Sequence, residues 1–421
     1  YNCSKLLSIH STTFRDCTGI TYFISVFQGC NKITYVSGDL FANCTLAIYF
    51  NYAFYLCTLL DNLPSNLFQN NTALNSNFYG VFQSTGVTSV PAGLFNNVRS
   101  TSFQYCFYGC ASLTTIPEYL FLGQNLCISF SYAFGACSKL TNVPTGVFDI
   151  SVGGVNACTD MQSCFISCGT ASNVTTFTIA NNLFDHLYKV TNFYGTFNGC
   201  TKFAGIPSGL FVNCVAATNF AYTFASNKHS SIPPNLFDSC TEVVEFSGTF
   251  YGNYSLTSVG IPEDLFRYCT KVTAFGSSTY STGTFQACSN IGFTSIPATL
   301  FKYNVNVGFC KYTFAGCTYL SSIPTDLLRY NTVLSDVTGM FSSTAITSLS
   351  NNVFQYNRSI TTVSSCFAYN AALQTIDTDL FNTNTSAANA LVDFSDCFRS
   401  CTNVAFTTIP SNLFQYSINA K

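Results

Sequence analysis

The chain has 421 residues, of which 48% are hydrophobic, 16% aromatic and 8% charged, with a net charge of -2; an average soluble domain carries roughly 25% charged residues. So little basic charge leaves nothing to neutralise phosphates or to hold an anionic membrane surface, which excludes nucleic-acid and peripheral-membrane binding. No apolar run approaches the roughly 18 residues of a spanning helix, so membrane insertion is not expected.

Along the chain one phrase recurs, usually Leu-Phe followed after two residues by Cys or Asn. Its frame runs through Phe14, Phe41, Phe68, Phe95, Phe121, Phe148, Phe184, Phe211, Phe237, Phe266 and Phe301, then Leu328 in the same slot, then Phe354, Phe381 and Phe414. The common step is 26 or 27 residues. A second Phe divides most coils in two, as at Phe27, Phe54, Phe107, Phe134, Phe197, Phe224, Phe250, Phe314 and Phe367.

A unit this short cannot close its own core, but stacked on copies of itself it turns each apolar position into a buried row. The expected fold is a β-rich solenoid, a single stack over residues 1–421 of about fifteen coils with short parallel strands and corner turns. The strands are expected in the Leu-Thr-x-Ile and Val-Thr-x-Phe words, where β-branched residues cluster. Pro closes one of them, as at Pro117, Pro144 and Pro207, where no ladder N–H is needed. The Phe residues should form two aromatic spines. Three coils, 148–184, 266–301 and 381–414, are six to nine residues too long.

Most of the 22 cysteines fall three residues after a corner Phe, among them Cys30, Cys57, Cys110, Cys137, Cys168, Cys200, Cys214, Cys240 and Cys269, with Asn304 and Asn331 in the same slot of later coils. A slot that accepts either residue points to bonding the turn backbone from inside; stacked rungs about 4.8 Å apart leave cross-linking in pairs as the alternative. A straight row cannot wrap four thiolates around a metal, and none is expected. Seven cysteines lie off the slot, and of these Cys158 and Cys164 are the candidate disulfide pair.

No catalytic group is expected. In a stack only neighbouring coils share a site, and His10, His186 and His229 are far apart, with His186 and His229 read as exposed turns. There is no phosphate-cradling Gly-rich loop, no nucleophile motif and no cofactor signature. Tyr recurs beside the corners, as at Tyr52, Tyr105, Tyr132, Tyr222 and Tyr312, either as corner filling or as a Tyr/Thr face for a glycan or a protein. Of the sequons, Asn2, Asn43, Asn70 and Asn173 should point outward and are the glycosylation candidates; Asn253, Asn357 and Asn384 fall in the inward slot.

The words Ala-Ser-Leu-Thr-Thr-Ile-Pro-Glu-Tyr-Leu-Phe from Ala111 and Tyr-Thr-Phe-Ala-Gly-Cys-Thr-Tyr-Leu-Ser-Ser-Ile-Pro from Tyr312 resemble leucine-rich repeats of the BspA-like surface-protein type over essentially the whole chain. The step is longer than in that family, and Phe stands at two corner slots per coil. The resemblance implies an extracellular or cell-surface protein used for adhesion and protein contact, and it brings no catalytic residues. Repeats that run in pattern from end to end, with few charges, lead to the expectation of a non-enzymatic structural or adhesive protein that associates end to end as a filament subunit. The alternative is a monomeric binding module for a glycan or a cell-surface protein.

Overall fold

A computed structural model describes residues 3–150, 156–277, 281–381 and 392–414. The chain divides into two units, Tyr1–Ala216 and Ala217–Lys421. Each is a leucine-rich-repeat-like stack of parallel coils. In the first unit a line of parallel bridges joins Tyr22, Tyr49, Asn77, Ser102, Ser129, Asp160 and Asn192, one residue per coil. In the second the corresponding line is Asn219, Glu245, Ala274, Phe309, Asp336, Thr362 and Asp393.

A second line, in the Leu-Thr-x-Ile words, pairs Ser89, Thr115, Asn142 and Thr178 in the first unit, and Ser348 with Thr375 in the second. The named strands are short: β1 (Leu74–Asn77), β2 (Arg99–Ser102), β3 (Asn142–Val143), β4 (Thr178–Ile179), β5 (Ser348–Leu349) and β6 (Thr375–Ile376), paired β1 with β2, β3 with β4 and β5 with β6, all parallel. β1 and β2 stop because a turn begins at the Phe that follows each of them, Phe78 and Phe103. Single 3₁₀ turns stand at Ser258–Gly260 and Asn351–Val353.

Between the bridge line and the Cys slot the chain makes two turns in succession. Val26 N–H donates to Phe23 O and Cys30 N–H to Phe27 O, while Ser25 (φ 55°) and Gly29 (φ 72°) are left-handed, the pattern of type II turns. Alternate N–H groups of the same segment point along the stack: Phe23, Ser25, Phe27 and Gly29 donate to Tyr49, Asn51, Ala53 and Tyr55. The ribbon therefore keeps both local and inter-coil bonds, which offsets a left-handed cost of about 1–2 kcal/mol at each non-glycine position. Ala136 (φ 58°) occupies the slot that Gly109 and Gly199 fill in other coils. Ala136→Gly should therefore raise stability by about 0.5–1 kcal/mol, read as a higher urea midpoint.

The core holds three aromatic spines, one more than the sequence reading counts. Phe27, Phe54, Phe82, Phe107, Phe134, Phe165 and Phe197 stack with ring centroids 5.5–5.6 Å apart. Phe14, Phe41, Phe68, Phe95, Phe121 and Phe148 form the second, at 5.7–6.0 Å. Phe23, Phe50, Phe78, Phe103 and Phe130 form the third, wedged edge-on between the others, as Phe50 is to Phe41 and to Phe68. Its signal is a Phe four residues before the second Phe of most coils. Each ring pair adds about 0.5–1.5 kcal/mol beyond area burial.

The surplus in coil 266–301 includes a two-stranded excursion, in which Gly276 pairs antiparallel with Gly283 and Thr282 Oγ1 lies 2.6 Å from the Tyr222 hydroxyl. Three coils are instead a residue short after the corner Phe, and Val87, His229 and Ile346 fill the same inward slot. His229, expected in an exposed turn, is therefore only 3% exposed. The deletion turns an otherwise polar stretch inward.

Candidate functional site

The Cys/Asn slots form buried rows, one after each corner Phe, and many rungs donate to the coil before them. In the row after the second Phe, the thiols of Cys57, Cys110, Cys137, Cys168 and Cys200 donate to the carbonyls of Phe27, Phe82, Phe107, Phe134 and Phe165 at 3.0–3.3 Å. Asn253 takes the slot in the second unit, its Nδ2 donating to Phe224 O at 2.8 Å. In the row after the first Phe, Asn304 Nδ2 donates to Phe266 O and Cys269 O, and Asn331 Nδ2 to Phe301 O and Asn304 O. Cys269 donates a longer bond, 3.7 Å, to Phe237 O. Cys30, Cys214 and Cys240 are buried thiols of the same rows.

The exchange of Cys for Asn has a simple energetic reading. Asn makes two bonds but leaves Oδ1 of Asn304 and Asn331 without a partner; Cys makes one weaker bond and strands no acceptor. All 22 cysteines are free thiols, 19 of them buried. Cys158 and Cys164 are among the 19, so the disulfide expected between them is not formed: Cys158 Sγ instead points to Asp160 O, 3.9 Å away. Burial raises these thiols, Cys57 to about 12 and Cys110 to about 11, so the reactive thiolate is suppressed.

The most structured polar surface lies on the bridge line of the first unit. Gln104 Nε2 donates to Ser129 Oγ, Ser129 Oγ donates to Asp160 Oδ2, and Asn192 Nδ2 donates to Asp160 Oδ1 and Gln162 Oε1, all at 2.9–3.3 Å. Gln162 Nε2 reaches the Tyr132 hydroxyl at 3.4 Å. Ser129 is buried and the other side chains are half-buried, and their mutual bonds hold them in place before any partner arrives. In the second unit the same line is more charged, with Lys311 paired to Asp336 at 2.8 Å and Ser395 bonded to Asp393.

The corner tyrosines have a structural role that the sequence only partly showed. Tyr52, Tyr105, Tyr132, Tyr222 and Tyr312 are the left-handed residues of the first turn, and where the next coil has Gly the ring lies on it. A Cβ on Gly80 would stand 2.8 Å from the Tyr52 ring, and one on Gly248 2.9 Å from that of Tyr222. Tyr105 and Tyr132 stack on each other at 4.7 Å and 6°. Rings stacked along the coil axis spend their faces on one another and offer their edges outward.

Asn2 and Asn384 lie outside the described residues. Asn43, Asn70 and Asn173 are exposed. Asn43 Nδ2 donates to Arg15 O at 2.7 Å and Asn70 Nδ2 to Ala42 O at 2.9 Å, which ties down the nitrogen that would carry a glycan. Among the described residues Asn173 has no such bond. In a secreted eukaryotic preparation, glycopeptide mass spectrometry should find Asn173 the most occupied of the three. Asn253 and Asn357 are buried.

His10 is exposed with Nδ1 2.7 Å from Thr12 Oγ1, and His186 is exposed 3.7 Å from Asp149. Among the described residues no group of three or more His, Cys, Asp or Glu side chains is placed to hold a metal ion. Nor, among them, is any helix long and apolar enough to cross a membrane.

No family model and no curated protein matches the chain. Among solved structures, a chain of the Drosophila Toll–Spatzle complex is similar at 15% identity and a TM-score of 0.41, over 90% of this chain and 40% of its own. A leucine-rich repeat protein from Bacteroides ovatus aligns at 14% identity and a TM-score of 0.38, over 96% of this chain and 86% of its own. The functional domain of InlJ from Listeria monocytogenes aligns at 12% identity and 0.38, over 87% and 59%. This chain thus spans 40% of the first of these, and its repeat architecture is read from its own bridge lines and ribbons.

Proposed function

We propose that the chain is a non-enzymatic extracellular adhesive repeat protein that holds a protein partner on the bridge line of its first unit. The observation that carries this reading is the preordered network from Gln104 through Ser129 and Asp160 to Asn192, on a chain with 8% charged residues. A satisfied, immobile polar row loses little side-chain entropy when covered, which favours docking over chemistry. Exposed Tyr22, on the same bridge line, and exposed Ile128, next to Ser129, supply apolar area.

A glycan is the second reading, favoured by one carboxylate set among amides and hydroxyls. Against it, the stacked tyrosines present edges, whereas a sugar packs on a ring face. End-to-end self-association draws on the low charge alone.

The test is binding of the chain to arrays of extracellular proteins and of glycans, beside Ser129→Arg. Saturable protein binding lost in the variant is the expected result. Binding confined to glycans supports the second reading, and filaments under the electron microscope support self-association. Equal binding by both chains removes the bridge line from the account.

A further inference from the structure

Apart from the three accessible thiols of Cys3, Cys17 and Cys401, tyrosine is the main accessible oxidisable side chain on this surface. The chain has no Trp. Met161 and Met340 are fully buried, and 19 of 22 thiols are inside. Tyr35, Tyr119, Tyr254 and Tyr319 are exposed and have no ring partner among the described residues, whereas Tyr22 and Tyr49 form a pair.

Tyr22 and Tyr49 face each other across a parallel bridge, which brings their backbones into register on adjacent coils. Their rings are 5.0 Å apart and 6° from parallel, and Tyr22 is 63% exposed. The Tyr105–Tyr132 stack is closer, at 4.7 Å, but Tyr79 and Tyr108 also crowd Tyr105, and neither ring is as exposed as Tyr22.

We infer that Tyr22 and Tyr49 are a site of intramolecular dityrosine formation, a covalent staple between neighbouring coils made by a haem peroxidase with hydrogen peroxide. Each phenol gives up one electron and one proton, and the peroxide is reduced to two waters. The two phenoxyl radicals join through ring carbons ortho to their oxygens. The hydrogen on each joined carbon then moves to its own oxygen as the rings regain aromaticity. The chain loses two hydrogen atoms and gains one carbon–carbon bond. Parallel rings one coil apart need only side-chain rotation to bring the ortho carbons together, and the second radical is already in place, so coupling within the chain outruns encounter with another molecule. The inference stands on this geometry and does not depend on what the chain adheres to.

The accessible thiols of Cys3, Cys17 and Cys401 would reduce phenoxyl radicals, so they are first capped with iodoacetamide. The full chain, dilute, is then treated with peroxidase and peroxide and digested with trypsin. Tyr22 is the sole tyrosine of its peptide, Asp16–Lys32, and Tyr49 lies in Ile33–Arg99. The expected product is a monomer with dityrosine fluorescence whose two peptides are joined, with fragment ions that place the bond at Tyr22 and Tyr49. Tyr49→Phe should lose this linked peptide, and Tyr35→Phe should keep it. Because both changes remove only a hydroxyl, folding is preserved, and matching circular dichroism checks it. A linked peptide that persists in Tyr49→Phe, or dityrosine found only in covalent dimers, would overturn the inference.

Discussion

Asn331→Asp is expected to lose about 3–5 kcal/mol at pH 7, the cost of leaving a buried charge unpaired. The change is isosteric, so it tests the bonding and not the packing. Asn331 Nδ2 donates to both Phe301 O and Asn304 O, and the residue is fully buried. A carboxylate there would turn an oxygen on those two carbonyls. Burial and repulsion favour the neutral acid in the folded state, so the folded pKa lies above the unfolded one. The penalty is then full above the folded pKa and shrinks as pH falls through it, because the acid form donates one bond back. Asn331→Cys places in the slot the residue that Cys269 supplies in an earlier coil, and should cost no more than about 1 kcal/mol. Urea midpoints of the three chains, at pH 7 and again in mild acid, read the order directly.

The second large effect is acid sensitivity at His229. The imidazole is buried beside Phe224, with Asn227 Nδ2 3.3 Å from its Nε2, and the backbone N–H of His229 donates to Asn253 Oδ1. Burial lowers its pKa from 6.5 to about 3. The unfolded chain therefore binds the proton first: no penalty exists above pH 6.5, it grows as pH falls through that value, and it is complete near pH 3. At 1.36 kcal/mol per unit it reaches on the order of 5 kcal/mol. Val87 and Ile346 fill the same slot of the other short coils, both fully buried, so His229→Val should keep the core filled and remove this slope. The variant should match the parent or exceed it in stability near pH 7, with the gap widening between pH 6.5 and 4. Parallel curves would show that His229 is solvated.

The periodicity of Phe and of the Cys/Asn slot made the stack legible from the sequence, because one mistake in frame would turn every apolar residue outward. The third spine escaped because Met161, Cys310, Val337 and Val363 interrupt it, so the Phe-x-x-x-Phe word is broken just where a count would establish it. His229 was misread because a single deletion after Phe224 shifts which residue faces inward, and Lys228 beside it makes the stretch look solvated. The strained ribbon was hidden for another reason: left-handed φ favours Gly, yet here Tyr, Ser, Leu and Ala hold it, sustained by inter-coil bonds that no local word encodes. The Gln104–Asn192 network joins residues that are near only once the coils are in register.

The central claim is that each coil grips the one before it through buried rungs whose thiols are reduced. Counting thiols with a membrane-impermeant aromatic disulfide reagent, in the absence of reductant, tests it most directly. In the folded chain only Cys3, Cys17 and Cys401 lie outside the buried set, so about three equivalents should react promptly. After denaturation all 22 should react. A denatured count short of 22 by even numbers would mean that rungs or off-slot cysteines are cross-linked, and a folded count near 22 would mean that the rows face solvent. Either result would contradict the account.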